Sequence, residues 1–313
     1  MTKISLVISA YNEEENVKRF FSRCKEVFSG TDYEYEYVFI NDGSTDHTQE
    51  KLNEITSEES ESQVLTIELS RNFGKEGAML AGMEKTTGDY IVIIDADLQQ
   101  DPEYVLKMAE ILDKKENTDC VACVPEKRKE SRYMVTFKNI FYKLINSISD
   151  VRFEENASDF RMMRRNMLES VLELDEYYRF SKGIFSWVGY NTEYITYDVK
   201  ERAAGETKWS FRKLVHYAID GFVGFSTAPL KLASFIGTLG AIASIIYFIV
   251  VFIQRILGYI NTISGYATIV SLILLIGSIQ MILIGIMGEY IARSYMEVKN
   301  RPKYIVKKII NNK

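Results

Sequence analysis

Two aspartates, Asp95 and Asp97, sit one residue apart at the end of the apolar run Tyr90-Ile91-Val92-Ile93-Ile94. Where a strand gives way to a turn, both carboxylates can reach one divalent cation. Their hard oxygens suit Mg2+ or Mn2+, ions that keep waters and bind substrate phosphates. A cation bridging a diphosphate would neutralise charge on a leaving group. Acidic pairs at strand ends also serve as helix caps. Here that task falls to Asp101-Pro102-Glu103, an N-cap followed by proline at the first helical position. A second polar cluster, Asn41-Asp42-Gly43-Ser44-Thr45-Asp46, reads equally well as a turn in which Asp46 caps the next helix. A third is Tyr11-Asn12-Glu13. Gly74 and Gly77 fit neither the dinucleotide GxGxxG nor the P-loop pattern, which disfavours those ligands. With only His47 and His216 present, histidine-based nucleophilic schemes have little support. Cys120 and Cys123 fall inside an apparent strand with no partner pair elsewhere, and read as core.

The elements that must hold these clusters alternate. Ile4–Ser9, Tyr35–Ile40, Val64–Leu69, Tyr90–Ile94 and Cys120–Val124 predict strands; Glu13–Phe28, Thr48–Ile55, Glu76–Lys85 and Glu103–Leu112 predict helices between them. Such alternation predicts an α/β class with a mainly parallel sheet covered on both faces. Ligands of such folds bind beyond the carboxyl ends of the strands, where the polar clusters fall.

The second part of the chain differs. Leu232–Ile253 and Ile256–Gly288 carry no charge, and each exceeds the roughly 20 residues a helix needs to cross hydrocarbon. Before them, Trp209–Phe225 repeats apolar residues at helical spacing, as an amphipathic helix in the bilayer interface would. Seven basic residues follow Gly288 against Glu289 and Glu297, and only Arg255 lies between the runs. That bias predicts both termini on the cytoplasmic side, and the start lacks the long apolar region of a secretory signal. The expected domains are 1–208 catalytic, 209–230 juxtamembrane helix, 231–292 two transmembrane helices and 293–313 a basic cytosolic tail.

Taken together, Val7-Ile8-Ser9-Ala10-Tyr11-Asn12-Glu13-Glu14, Asn41–Asp46, Ser70-Arg71-Asn72-Phe73-Gly74, Asp95-Ala96-Asp97-Leu98-Gln99, Ser158-Asp159-Phe160-Arg161, Arg202–Trp209 and Gly288–Tyr295 resemble the family 2 glycosyltransferases of GT-A fold. Within these the chain is similar to the polyprenyl-phosphate glycosyltransferases. Ser9 stands where many relatives carry proline. The resemblance implies a Rossmann-like GT-A domain in which Tyr11, Glu13, Asp42, Arg71, Asp95 and Gln99 bind a nucleotide sugar, most readily a UDP-sugar. Asp97, with Asp95, would hold Mg2+ or Mn2+. Asp159 falls at the family's candidate catalytic base, with an orienting role and a structural ion pair to Arg161 or Arg164 as alternatives. Arg202 and Lys208 would bind phosphate groups. Apart from the resemblance, the charged stretch Lys127–Arg132 reads either as a solvated loop or as a segment whose Arg128 and Arg132 close over the donor. The resemblance further implies transfer of glucose or N-acetylglucosamine to undecaprenyl phosphate with inversion at a bacterial cytoplasmic membrane, by a homo-oligomer with no nucleic-acid partner. A processive polysaccharide synthase would carry QxxRW and more spans, and a dead scaffold would be expected to lose Asp95 or Asp97; neither pattern is present.

Overall fold

The computed structural model describes residues 1–126, 158–198, 226–257 and 265–312. Arg128, Arg132, Arg202, Lys208 and most of the expected juxtamembrane helix lie outside these ranges. The chain begins β1 (Thr2–Ala10), α1 (Val17–Phe28), β2 (Tyr33–Asn41), α2 (Thr48–Glu58), β3 (Gln63–Leu69), α3 (Lys75–Met83), β4 (Tyr90–Asp95), α4 (Glu103–Lys114) and β5 (Cys120–Pro125). After the gap come β6 (Arg161–Arg164), α5 (Arg165–Glu173), α6 (Ser181–Trp187) and β7 (Thr192–Tyr197). Two long helices, α7 (Ala228–Ile256) and α8 (Tyr266–Lys299), precede β8 (Val306–Asn311).

All eight strands form one sheet in the order β7-β5-β6-β4-β1-β2-β3-β8. Its centre, β4-β1-β2-β3, is parallel. Burial on both faces explains why these strands read as near-continuous apolar runs. Leu6, Ile8, Phe39 and Val92 pack on one side with Phe20, Leu52 and Met108; Val7, Ile40, Ile67 and Ile93 pack on the other with Ala78, Met79 and Leu168. On this second face α3 lies close to the strands at Gly82, where a Cβ would stand 2.5 Å from both Val7 Cγ1 and Ile40 Cδ1. Cys24, Cys120 and Cys123 are buried free thiols in this packing, and burial pushes Cys123 up to about 12.

The antiparallel departures matter most for the site. β6 runs against β4, pairing Arg161 with Ile93 and Arg164 with Tyr90. Its amino-terminal end therefore meets the carboxyl end of β4. β8 runs against β3, pairing Ile309 with Ile67. The segment expected as a basic tail over 293–313 is thus divided: α8 continues to Lys299, Asn300 ends it in a left-handed conformation (φ 46°), and the rest joins the sheet. Lys307 reaches Glu68 on the neighbouring strand at 2.5 Å.

Both α7 and α8 are long and apolar enough to cross a membrane, and their apolar side chains, among them Leu232, Ile245, Leu274 and Ile282, are exposed. At about 1.5 Å per residue, α8 outruns a hydrocarbon core of about 30 Å by several turns. Its last turns dock on the α/β domain. Glu297 accepts a hydrogen bond from the Tyr177 amide at 2.8 Å, and the Arg293 guanidinium lies 5.1 Å from the centre of the Tyr178 ring. Lys303, just beyond the helix, pairs with Asp175.

Candidate active site

Strand register brings the polar clusters together. Ala10 is level with Asn41, and Ser9 with Asp95, so β1, β2 and β4 end side by side. The turns beyond them are laced by side chains to backbone. The Asn12 amide donates to Ser44 Oγ at 2.9 Å, and Asn12 Oδ1 accepts from the Thr45 amide at 2.9 Å. Asp46 accepts from the Thr48 amide and so caps α2, as expected. Glu13 accepts from Asn16 Nδ2 at 2.6 Å, while its amide donates to Thr48 Oγ1.

Asp42 is nearly buried and binds the next turn, accepting from the amides of Phe73 at 2.7 Å and Gly74 at 3.0 Å. Burial pushes its carboxyl up, against those two amides and the Arg71 charge. Arg71 is exposed, with its guanidinium 4.1 Å above the Phe73 ring. Gly43 has φ 64°, and a Cβ there would meet the Arg71 carbonyl carbon at 2.3 Å and the Asn72 nitrogen at 2.5 Å. Gly43→Ala should therefore displace the 70–74 turn from Asp42. The left-handed backbone alone costs about 1–2 kcal/mol. A lower thermal midpoint and weakened nucleotide binding are expected; unchanged values would mean that the two turns are not coupled.

Asp95 and Asp97 leave β4 through a turn in which Leu98 has φ 59°. Asp101 accepts from the Glu103 amide and caps α4, so the pair is spared that task as expected. Asp97 is nearly buried and accepts from the Gln99 amide at 3.1 Å. Asp95 is surrounded by donors: Ser9 Oγ at 3.3 Å, Gln100 Nε2 at 3.4 Å and Lys75 Nζ at 2.9 Å. Gln100 thus supplies an amide side chain to Asp95, while Gln99 gives its backbone amide to Asp97.

The antiparallel entry of β6 delivers Asp159 to the same place. Lys75 Nζ lies 2.9 Å from Asp159 Oδ2 as well as 2.9 Å from Asp95 Oδ2, and so brackets the two carboxylates. Asp159 Oδ1 is buried with no hydrogen-bond partner among the described residues. The ion pair is with Lys75. Arg161 and Arg164 instead donate to backbone carbonyls, of Ser158 and of Thr118 and Leu112. Burial works to raise Asp159, but Lys75, Lys182 and Arg161 outweigh it and hold the carboxyl below the usual range. For Lys75 burial is likewise outweighed, by Asp159 and Asp95, and its ammonium is held above the ordinary lysine range.

Beside Lys75, Glu76 accepts from the amide and hydroxyl of Ser181, fastening α6 to α3. Burial and the Asp159 charge push Glu76 up to about 7. A carboxyl raised in the fold stabilises it below the unfolded pKa and loses that contribution as pH rises through the folded one. From about pH 4.5 to about pH 7, then, Glu76 should make a declining contribution. Glu76→Gln should flatten this part of the melting-temperature profile, and an unchanged slope would show that Glu76 ionises freely.

The donor set fits a divalent cation carried in with substrate. Asp95 and Asp97 offer oxygen only, and no group of three or more His, Cys, Asp or Glu side chains able to hold a metal occurs among the described residues. A diphosphate and water would complete the shell, the habit of Mg2+ and Mn2+.

The matching family model is described as glycosyl transferase family 2 and covers residues 5–172, from β1 into α5. The chain belongs to that family. A second model, the GtrB C-terminal hairpin, covers residues 228–294, the two apolar helices. A prophage bactoprenol glucosyl transferase homolog of Escherichia coli is 40% identical over 308 residues, covering 98% of this chain and 99% of the relative. An SfII prophage-derived bactoprenol glucosyl transferase of Shigella flexneri is 40% identical over 307 residues, 98% of each chain. Glucosyl-3-phosphoglycerate synthase of Mycobacterium tuberculosis, solved with Mn2+, uridine diphosphate and phosphoglyceric acid, aligns over 71% of this chain and 76% of its own, with 17% identity and a TM-score of 0.47. The chain thus joins a glycosyl transferase family 2 domain to a two-helix apolar appendage. Lys75, Glu76, Gln100, Ser181 and Lys182 are site neighbours that no motif singled out.

Proposed function

We propose that this transferase moves a hexose, glucose first and N-acetylglucosamine second, from a UDP-sugar to polyprenyl phosphate at the cytoplasmic face of a bacterial membrane. The observation that carries the reading is near full-length similarity to bactoprenol glucosyl transferases, extending through the apolar hairpin to the sheet-forming tail.

Sidedness has its own support. β8, which follows both apolar helices, is hydrogen-bonded to β3, which precedes them. A chain that leaves a domain, crosses a bilayer twice and rejoins the same sheet has both flanks on one side. The positive charge of the last segment favours the cytoplasmic side.

In the reaction a phosphate oxygen of the lipid attacks C1 of the sugar, the C1–O bond to the nucleoside diphosphate breaks, and that diphosphate departs with the electron pair. A single displacement inverts the anomeric centre. A phosphate monoester, with its second pKa near about 6, is largely dianionic at neutral pH and needs no base. Asp159, held ionised by Lys75, would stabilise positive charge developing on the ring and keep Lys75 in place. Asp42 and the 11–13 and 70–74 turns would hold the nucleoside. A divalent cation on Asp97 and Asp95 would supply charge neutralisation for the leaving diphosphate. Arg202 and Lys208 would contribute to phosphate binding, and the exposed apolar hairpin would be the contact surface of a homo-oligomer.

A panel of labelled nucleotide sugars, offered with polyprenyl phosphate to the purified full chain, tests the substrate assignment. Label from UDP-glucose should enter the lipid phase fastest. Transfer to water alone or to a growing polysaccharide would contradict it. Asp159→Asn should lower turnover about 10²-fold or more; wild-type turnover with normal metal dependence would remove Asp159 from the chemistry.

A further inference from the structure

We propose that Lys182 is an oxyanion-binding residue that, with Lys75 beside it, receives a phosphate group next to Asp159. The proposal deepens the function above and rests on that reading for the identity of the ligand.

The neighbourhood of Lys182 is fixed from three sides. Ser181, the residue before it, is fastened to Glu76 by amide and hydroxyl, and Glu76 adjoins Lys75. Three residues after it, the Phe185 ring carries the Arg161 guanidinium at 4.0 Å. Arg161 begins β6 only two residues beyond Asp159. So α6 wedges between the start of α3 and the start of β6, and Lys182 lies where Asp159, Lys75, Arg161 and Glu76 all act on its charge.

What singles Lys182 out is the contrast with its fellow cations. Lys75 is bracketed by Asp95 and Asp159. Arg161 donates to the Ser158 carbonyl, and Arg179 to the carbonyls of Leu174 and Val171. The Lys182 ammonium makes no hydrogen bond or ion pair among the described residues, although the residue is half-buried. Burial therefore lowers its pKa, with Asp159 opposing and Lys75 and Arg161 reinforcing the shift. A partly desolvated, uncommitted cation is costly until an anion arrives. Within this cluster Lys75 is shared between Asp95 and Asp159, Arg161 is held by the Ser158 carbonyl, and Glu76 is engaged by Ser181, so the Lys182 ammonium has no ion-pair partner of its own among the described residues. A half-buried ammonium with no partner among the described residues suits a phosphate oxygen, which would supply the missing acceptor.

The phosphate has two possible sources, the lipid headgroup and the donor diphosphate, and the same measurement separates them. Farnesyl phosphate and inorganic pyrophosphate would each be titrated calorimetrically into the full chain in detergent, for wild type, Lys182→Gln and Lys182→Arg. Thermal unfolding shows that each variant is folded. Loss of one charge-assisted hydrogen bond should weaken binding about tenfold or more in Lys182→Gln, with Lys182→Arg largely restoring it. Weakening for farnesyl phosphate alone assigns the group to the headgroup, and for pyrophosphate alone to the donor. Both affinities unchanged within about twofold in folded Lys182→Gln would overturn the proposal. If wild type transferred no sugar to lipid yet the variant still lost phosphate binding, the proposed function would fail and the subsite would stand. Should Lys182→Gln not fold, Lys182→Met and the rescue by Lys182→Arg carry the same comparison.

Discussion

Asp97→Asn should give a folded protein whose sugar transfer is slower by about 10²–10³-fold. The substitution preserves Oδ1, which accepts from the Gln99 amide and holds the turn in which Leu98 takes its left-handed backbone. What it removes is the negative charge proposed to grip a divalent cation. Turnover should fall and the Mn2+ or Mg2+ concentration needed for half-maximal rate should rise, with the melting temperature nearly unmoved. Asp95→Asn is a less clean probe, because Asp95 also anchors Lys75 and Gln100. If Asp97→Asn retained full turnover at ordinary metal concentrations, the acidic pair would be structural and the proposed chemistry would lose its cation.

The second large effect is expected at Lys75. Lys75→Met keeps most of the length of the side chain and removes the ammonium that stands 2.9 Å from both Asp95 and Asp159. The two carboxylates would then lose the counter-charge they share, leaving Asp159 only the weaker influence of Lys182 and Arg161 against a burial that disfavours its charged form. Transfer should fall about 10²-fold. The pH dependence is distinctive. In the wild type Asp159 is held below the usual carboxylate range, so its ionisation stabilises the fold above the unfolded pKa, and this contribution is lost as pH falls. In Lys75→Met burial acts unopposed by its main partner and the carboxyl moves up, so ionisation now costs stability. The melting-temperature gap between the two proteins should be widest near neutrality, by several degrees, and should close as pH falls below the ordinary aspartate value of about 4. A gap independent of pH would mean that Lys75 is held by packing rather than by charge.

Much of the fold was legible because its central strands and helices carry local signals. The apolar runs at Ile4–Ser9 and Tyr90–Ile94 and the caps at Asp46 and Asp101 each correspond to features of the structure. The motifs after β1, β2 and β4 converge because parallel register aligns the ends of those strands. Other parts depend on pairing across long stretches of chain. β8 is a short Lys- and Ile-containing segment whose role is decided by its partner β3, more than two hundred residues earlier. Read alone, it was a basic tail. β6 has only four residues, too few for a periodic signal, yet its antiparallel entry sets Asp159 against Lys75. Lys75 follows Gly74 in what reads as an ordinary turn, and Lys182 lies in a seven-residue helix with nothing in its spacing to mark it. Such residues acquire meaning only from what the fold places across from them.

A single carboxylate cluster at the strand ends is proposed to join a nucleotide sugar to a lipid phosphate on one side of the membrane. The measurement that addresses it most directly uses the purified full chain with radiolabelled UDP-glucose and undecaprenyl phosphate, with lipid-extractable label followed before and after a chelator and again after added Mn2+. The account predicts label entering the lipid as a β-linked glucosyl phosphate, loss of that signal with chelator and recovery with the ion. Lipid-linked product of retained anomeric configuration, or transfer indifferent to the chelator, would contradict it.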